Sequence, residues 1–119
     1  MSIEYLKRIL NARVYEVAEE TPLDPAPALS ARLGNRVLLK REDIQVGRSY
    51  KARGAYNFIS SLSAEEREAG VVCASAGNHA QGVAFACRQL KIHAKVFLPS
   101  TTPRQKRARI ADIGGRWIE

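Results

Sequence analysis

The sequence is organised around Ser75-Ala76-Gly77-Asn78-His79-Ala80-Gln81-Gly82, which directly follows the apolar run Val71-Val72-Cys73-Ala74. Apolar residues then recur at helical spacing, so the pattern predicts a strand, a tight turn and the start of a helix. The apolar face of that helix comprises Ala80, Val83, Ala84, Cys87 and Leu90. Such a turn presents backbone N–H groups and the positive end of a helix dipole, and both favour anions. We therefore expect the floor of a pocket that receives a carboxylate or a phosphate.

This turn differs from the glycine signatures of nucleotide-binding proteins. The glycines and the lysine required by the phosphate-binding loop and by the dinucleotide motif are absent from it. Ser75 and Asn78 instead add side-chain hydrogen-bond donors at the same place.

Helices and strands are predicted to alternate from residue 49 onward. Strands are expected at 71–74, 94–98 and 116–118, and helices at 50–62, just before Gly70, at 77–90 and at 103–113. The helix start signals are Ser49, the capping box Ser63/Glu66, and Thr102 before Pro103, while Gly114-Gly115 ends the last helix. This order predicts an α/β fold, an open parallel sheet with flanking helices and right-handed crossovers. Because the pattern is still running at Glu119, we expect a fragment of a longer protein.

The first 41 residues have a different character. Apolar residues at helical spacing predict one amphipathic helix over about residues 3–19. Three prolines between Thr21 and Pro27 predict an extended connector. A helical turn over residues 28–33 should end at Gly34-Asn35, and Val37-Leu38-Leu39 reads as a buried strand.

Composition excludes several classes of protein. The 119 residues are 45% hydrophobic and 26% charged, as in one modest globular domain. No apolar run could span a membrane and no secretory leader is visible, so we expect a cytoplasmic protein without a membrane partner. Cys73 and Cys87 are expected to be free core thiols, and no cysteine or histidine spacing indicates a metal site.

The net charge of +7 raises the question of a nucleic-acid partner. Much of the charge lies in Arg104, Lys106, Arg107 and Arg109, on a predicted helix with little aromatic interleaving. We interpret these residues as a solvated helix face and expect no nucleic acid to bind there.

Lys51 is the first candidate for chemistry. It lies in Ser49-Tyr50-Lys51-Ala52-Arg53-Gly54-Ala55, in the first turn of its predicted helix, where the dipole disfavours a cation. A lysine that forms a Schiff base must react as the neutral amine, so this position suits one. On these grounds alone a plain surface lysine is the favoured interpretation.

Two sequence motifs, taken together, indicate a function more specifically than Lys51 does alone. The motif at 49–55 followed by the one at 75–82 resembles the N-terminal part of the threonine dehydratases, fold-type II enzymes with a tryptophan-synthase-β-like fold that use pyridoxal 5'-phosphate (PLP). Thr21-Pro22-Leu23 and Leu39-Lys40-Arg41-Glu42-Asp43 also look like landmarks of that family. The resemblance covers most of the chain.

The resemblance implies roles for six residues. It makes Lys51 the lysine that carries PLP as a Schiff base, Tyr50 an aromatic residue against the cofactor ring, and Asn78 a hydrogen-bond partner of the ring oxygen. The substrate carboxylate would be received by a loop that contains Ser75, Gly77, Asn78 and His79. A competing interpretation has His79 only starting a helix, with its backbone alone in use. Arg53 points away from Lys51 and is expected to be structural.

The resemblance also implies a reaction: deamination of the amino acid L-threonine to 2-oxobutanoate and ammonia, with L-serine a poorer substrate. Serine racemases are similar but carry a second serine where this chain has Ala76, which favours elimination without racemisation. The alternatives are a serine/threonine racemase or another PLP-dependent β-eliminase and, from another class, a non-catalytic basic binding module. Whether the role is isoleucine synthesis or threonine breakdown stays open.

The same resemblance also implies which parts of the family's domains and cofactor site this chain should contain. Residues 42–119 should form most of the small cofactor and substrate domain, and residues 1–41 should pack on a larger domain. The family's glycine-rich loop for the PLP phosphate and its partner for the pyridine nitrogen lie further along the family's chain. We therefore expect 1–119 to be inactive alone, and the whole protein to be a homo-oligomer, a dimer or a tetramer.

Overall fold

Helices and strands alternate along the computed structural model, which describes residues 2–113 and 116–118. The α-helices of this part are α1 (Ile3–Leu10), α2 (Pro27–Leu33), α3 (Lys51–Ile59), α4 (Ala64–Ala69), α5 (Asn78–Leu90) and α6 (Arg104–Ile113). The strands are β1 (Leu23–Pro25), β2 (Leu38–Lys40), β3 (Val71–Ala74), β4 (Ala94–Phe97) and β5 (Arg116–Ile118). Short 3-10 helices cover Arg13–Glu16, Glu42–Ile44 and Val46–Arg48.

Strands β3, β4 and β5 form a parallel sheet in that order. Val71 lies opposite Ala94 and Ala74 opposite Phe97. Helix α5 joins β3 to β4 and helix α6 joins β4 to β5, and each returns the chain to the same end of the sheet, as parallel pairing requires. The predicted α/β fold with an open parallel sheet is therefore confirmed, although β4 ends one residue before the predicted Leu98.

Helix α5 is the centre of the packing. One side contacts α3 in a cluster of Ala55, Tyr56, Ile59, Val83, Ala86, Cys87 and Ile92. The other side contacts the sheet and α6 in a cluster of Ala80, Ala84, Val96, Leu98 and Ile110. The sequence predicted one buried face, but every residue from Ala80 to Cys87 is buried, because α5 lies between two layers.

Helix α3 buries the predicted face, formed by Ala52, Ala55, Tyr56 and Ile59. It is shorter than the predicted 50–62. The predicted N-cap at Ser49 is wrong, because Tyr50 directly precedes the helix and no side chain of the described residues caps it. Ser49 Oγ nevertheless accepts a hydrogen bond from the Lys51 N–H at 3.4 Å. The capping box that starts α4 is confirmed: Glu66 N–H donates to Ser63 Oγ at 3.1 Å, and Ser63 N–H donates to Glu66 Oε2 at 2.8 Å.

The prediction of a single helix over residues 3–19 is wrong. Helix α1 ends at Leu10, and the chain turns at Asn11 and Ala12 before a 3-10 helix. The turn lets residue 16 reach α3, where Tyr56 Oη donates to Glu16 Oε2 at 2.6 Å. Tertiary contact has therefore overridden a continuous helical pattern.

The strand predicted at 37–39 is present as β2, but it is exposed rather than buried. Strand β2 pairs with β1 as an antiparallel two-stranded sheet, so the proline-rich connector is itself partly a strand. Leu38 and Leu39 are 37% and 48% exposed, because nothing in the described part of the chain covers this small sheet. Helix α2 ends as predicted, with Gly34 in the left-handed conformation at φ 59°.

The predicted cap of α6 is also wrong. The Thr102 hydroxyl is buried and has no hydrogen-bond partner among the described residues, so it does not cap the helix. The predicted helix end at Gly114-Gly115 lies outside the described residues. Within residues 2–113 and 116–118, no helix is long and apolar enough to cross a membrane. The division of the chain at residue 41 stays a prediction.

Candidate active site

A cavity of about 440 Å³ opens beside the first turn of α3. Its walls come from α3, β3 and α5, and its polar side chains are those of Tyr50, Lys51 and His79. The remaining lining is mostly apolar, with Phe58, Ile59 and Val83 among its members. Size and composition are typical of a site for a small organic ligand held by a few polar groups.

Lys51 is the first residue of α3 and is half-buried. Its amine lies over the ring of Tyr50, with 4.6 Å between Nζ and the ring centroid. Tyr50 is 59% exposed, so its side chain is accessible to a further ligand. An amine beside an aromatic face in a mainly apolar cavity fits a flat aromatic aldehyde such as PLP.

The loop between β3 and α5 supplies backbone donors near this cavity. No side chain caps the first turn of α5, which begins after Gly77. The loop is not wholly open, because Gly77 N–H donates to Ser75 Oγ at 3.3 Å and Ser75 N–H donates to the Phe97 carbonyl at 3.2 Å. The anion site predicted from the sequence therefore rests on the helix start rather than on every N–H of the loop.

The predicted site residues fall into two groups. Tyr50, Lys51 and His79 line one cavity, although they lie on different elements and up to 29 positions apart in the sequence. Ser75 and Gly77 lie in the adjoining loop and Asn78 is the first residue of α5; none of the three is among the residues that line the cavity. The role of each of the six residues stays a prediction.

Arg53 takes part in a network on the side of α3 away from Lys51. Its Nε and Nη2 donate to the two carboxylate oxygens of Glu42 at 2.8 and 2.9 Å. Thr21 Oγ1 donates to the same carboxylate at 2.7 Å, and Arg53 also donates to the Glu19 carbonyl. Hydrogen bonding from the Arg53 guanidinium lowers the pKa of Glu42 to about 2, against burial, which opposes the shift.

This network was missed by the sequence reasoning, which assigned Arg53 a structural role without a partner. The available signal was the pair of family landmarks at Thr21 and Glu42, which the Thr21–Glu42 hydrogen bond joins. Their contact is long-range and could not be read from local spacing.

The two cysteines offer no nucleophile. Both are free, as predicted, and Cys87 is buried while Cys73 is half-buried. Burial raises the pKa of the Cys87 thiol to about 11 and also raises the pKa of Cys73. Among the described residues no cluster of histidine, cysteine and acidic side chains could hold a metal ion.

Comparison with known proteins bears on the same site. The chain is 57% identical over 107 residues to the L-threonine dehydratase biosynthetic IlvA of Mycobacterium tuberculosis, covering 90% of this chain and 25% of that protein. It superposes on the structure of the processed form of threonine deaminase isoform 2 from Solanum lycopersicum with a TM-score of 0.91 and 50% identity, covering 97% and 32% of the two chains.

A racemase is similar at a lower level. The structure of maize serine racemase matches with a TM-score of 0.87 and 33% identity, covering 93% of this chain and 34% of that one. The chain thus spans a quarter to a third of the length of these relatives. Residues 14–119 match the family model described as "Pyridoxal-phosphate dependent enzyme". With most of its length inside that match, the chain belongs to the family of pyridoxal-phosphate dependent enzymes.

Proposed function

We propose that this chain is part of an L-threonine ammonia-lyase, which converts L-threonine to 2-oxobutanoate and ammonia. The observation that carries the proposal is the meeting of Tyr50, Lys51 and His79 around one cavity. The names of the relatives with 50–57% identity support threonine as the substrate. We use "complete enzyme" below for this chain extended to the length of those relatives.

The residues present fit PLP and divide its binding between two elements. Lys51 would hold the cofactor through its amine, and the exposed Tyr50 would pack its ring against the cofactor ring. The Asn78 amide, at the start of α5, would donate to the ring oxygen. When bound, PLP withdraws electrons from the Cα atom of the amino acid.

The chain's own groups then have two tasks. The substrate carboxylate would lie at the start of α5, at the loop of Ser75, Gly77, Asn78 and His79, where the helix dipole and backbone donors favour an anion. The amine of Lys51, once free, would take the proton from Cα. The β-hydroxyl would leave with a proton as water, and hydrolysis of the released enamine would give 2-oxobutanoate and ammonia. L-Serine, which lacks the methyl group of threonine, is expected to be the poorer substrate.

The test is Lys51→Ala in the complete enzyme. We expect the visible absorbance of the lysine-bound cofactor to disappear and 2-oxobutanoate production to fall by at least about a hundredfold, as loss of a positioned base does. The matched control is Lys106→Ala, which removes an exposed lysine from α6. If Lys51→Ala keeps both signals, the proposed function is wrong. A non-catalytic basic module would instead bind nucleic acid in a salt-dependent way and would be weakened by Lys106→Ala.

Racemisation is the alternative that the maize likeness favours. Chiral analysis of L-serine and L-threonine after incubation separates the two reactions. We expect oxo acid and ammonia without the D-enantiomers, because the position after Ser75 is alanine and offers no proton. D-serine formed faster than oxo acid would favour the racemase.

The proposal includes a cytoplasmic homo-oligomer with a biosynthetic role. The relatives named biosynthetic support the role. The apolar stripe of α1 supports an interface with the remainder of the enzyme or with another copy, since Ile3 and Leu10 are about three-quarters exposed, at 76% and 75%.

A further inference from the structure

Helix α5 packs closely against the start of α3 at Gly82. A Cβ atom added at this position would stand 2.9 Å from the Lys51 carbonyl oxygen, 3.0 Å from the Lys51 carbonyl carbon and 3.3 Å from the Ala52 nitrogen. All three are backbone atoms, so no side chain can swing aside to make room. Gly82 is also buried in the middle of a 13-residue helix, where glycine is less favourable than alanine. Its presence therefore allows an approach that any other residue would prevent.

The contact involves the backbone of the first two residues of α3, Lys51 and Ala52. Gly54, on α3 three residues after Lys51, has nothing within 4 Å of the position a Cβ would take. The other small residues of α3 that are buried, Ala52 and Ala55, already carry a Cβ. The α5 backbone at Gly82 thus packs against the first turn of α3, where Lys51 lies.

The same two helices carry the two sides of the cavity. His79 lies one turn before Gly82 on α5, and Lys51 lies across the contact on α3. Ordinary van der Waals contact begins near 3.4 Å, so a methyl group at position 82 must separate the helices by about 0.5 Å. Catalytic groups must be held to within about that distance.

We propose that Gly82 is a positioning residue: its missing side chain sets the distance between Lys51 and the substrate loop at the start of α5. The inference rests on the proposed function, because it gives the Lys51 amine a cofactor to hold. Gly82 itself is not placed against the cofactor or the substrate. It acts through the Lys51 backbone.

The test is Gly82→Ala in the complete enzyme, with three measurements: visible absorbance of the bound cofactor, the yield of Lys51 labelled after borohydride reduction, and threonine kinetics. We expect kcat to fall about 10- to 100-fold, the range set by a misplacement of up to 1 Å, with a smaller change in KM. Labelling of Lys51 should fall as well. The control is Ala86→Gly, one turn later on α5, where the residue is fully buried but outside the cavity. It should lower the thermal midpoint while leaving labelling and kcat near wild type.

Two outcomes overturn the inference: Gly82→Ala with wild-type labelling and kcat, or Ala86→Gly with the same defects as Gly82→Ala. If Gly82→Ala does not fold, Ala86→Val replaces it, since it enlarges the same helix interface one turn from Gly82 and lies outside the cavity. Unchanged labelling in that variant also refutes the inference. The proposed function fails separately, when the wild-type enzyme binds PLP at Lys51 but makes no 2-oxobutanoate. The labelling comparison then still decides the role of Gly82.

Discussion

Replacing Glu42 by glutamine should destabilise the protein by an amount that depends on pH. The carboxylate accepts two hydrogen bonds from Arg53 and one from Thr21, and the side chains of Glu42 and Arg53 are only 16% and 22% exposed. The pKa of Glu42 is about 2 in the folded chain, against an ordinary 4.5. A difference of that size corresponds to about 3 kcal/mol of folding free energy. Residual exposure and solvent screening reduce our expectation to roughly 2 kcal/mol.

The direction of the pH dependence follows from the sign of the shift. The pKa of Glu42 is lowered on folding, so its stabilising contribution is complete above 4.5 and is lost as the pH falls toward 2. The free energy that separates wild type from Glu42→Gln should therefore be constant between neutral pH and about pH 6. Less than half of it should remain at about pH 3.

Urea denaturation of the complete enzyme, followed by circular dichroism at several pH values, measures this difference. Asp43→Asn is the matched control, because the neighbouring carboxylate pairs with Arg41 in an exposed position, where ion pairs stabilise little. It should move the urea midpoint much less than Glu42→Gln. A loss below about 0.5 kcal/mol at neutral pH, the range typical of surface substitutions, would refute the reasoning. A difference that stays constant down to about pH 3 would refute it too.

Two further predictions concern the core and the chain as a whole. Thr102→Val removes a buried hydroxyl that has no hydrogen-bond partner among the described residues, so stability should stay the same or rise by up to about 1 kcal/mol; a clearly lower thermal midpoint would contradict this. Residues 1–119 alone, with added PLP and L-threonine, should make no measurable 2-oxobutanoate, because the chain spans only 25–32% of its threonine-processing relatives. Turnover near the ordinary value of about 10 per second would contradict that expectation.

Local patterns predicted the elements whose partners lie within the chain. The alternation after residue 49 and the buried face of α3 were both read correctly, because the sheet and α5 bury the residues that the periodicity singles out. The capping box of α4 needed only Ser63 and Glu66, three positions apart. In these cases local preference and tertiary packing agree.

The wrong predictions concern segments in which local preference and tertiary packing disagree. Val14 and Val17 continue the helical period of α1, but the 3-10 turn that joins Glu16 to Tyr56 replaces the helix there. Leu38 and Leu39 form an apolar strand that the described part of the chain leaves uncovered. A short apolar run indicates a strand but does not say what covers it.

The site shows the same limit. Chemistry alone marked the start of α5 as an anion site and left Lys51 open between a surface lysine and a reactive one. The resemblance of two motifs joined them, and the structure brings Lys51 and His79 to one cavity. Neither the Glu42–Arg53 pair nor the approach of Gly82 has a local signal, since each joins residues more than ten positions apart.

Lys51 combines a closely packed backbone with an amine that has no hydrogen bond or ion pair in the described part of the chain. Arg53, two residues later, ties the first turn of α3 to Glu42, and Gly82 admits the α5 backbone against the Lys51 carbonyl. By contrast, the Lys51 amine makes no hydrogen bond or ion pair within the described residues and contacts the Tyr50 ring instead. The proposed function asks this amine both to hold a cofactor and to take a proton, so an ion pair that fixed it as an ammonium would oppose each task. A closely packed backbone with an unpaired amine would suit both tasks, since packing sets the position of Lys51 and leaves its amine available to the cofactor.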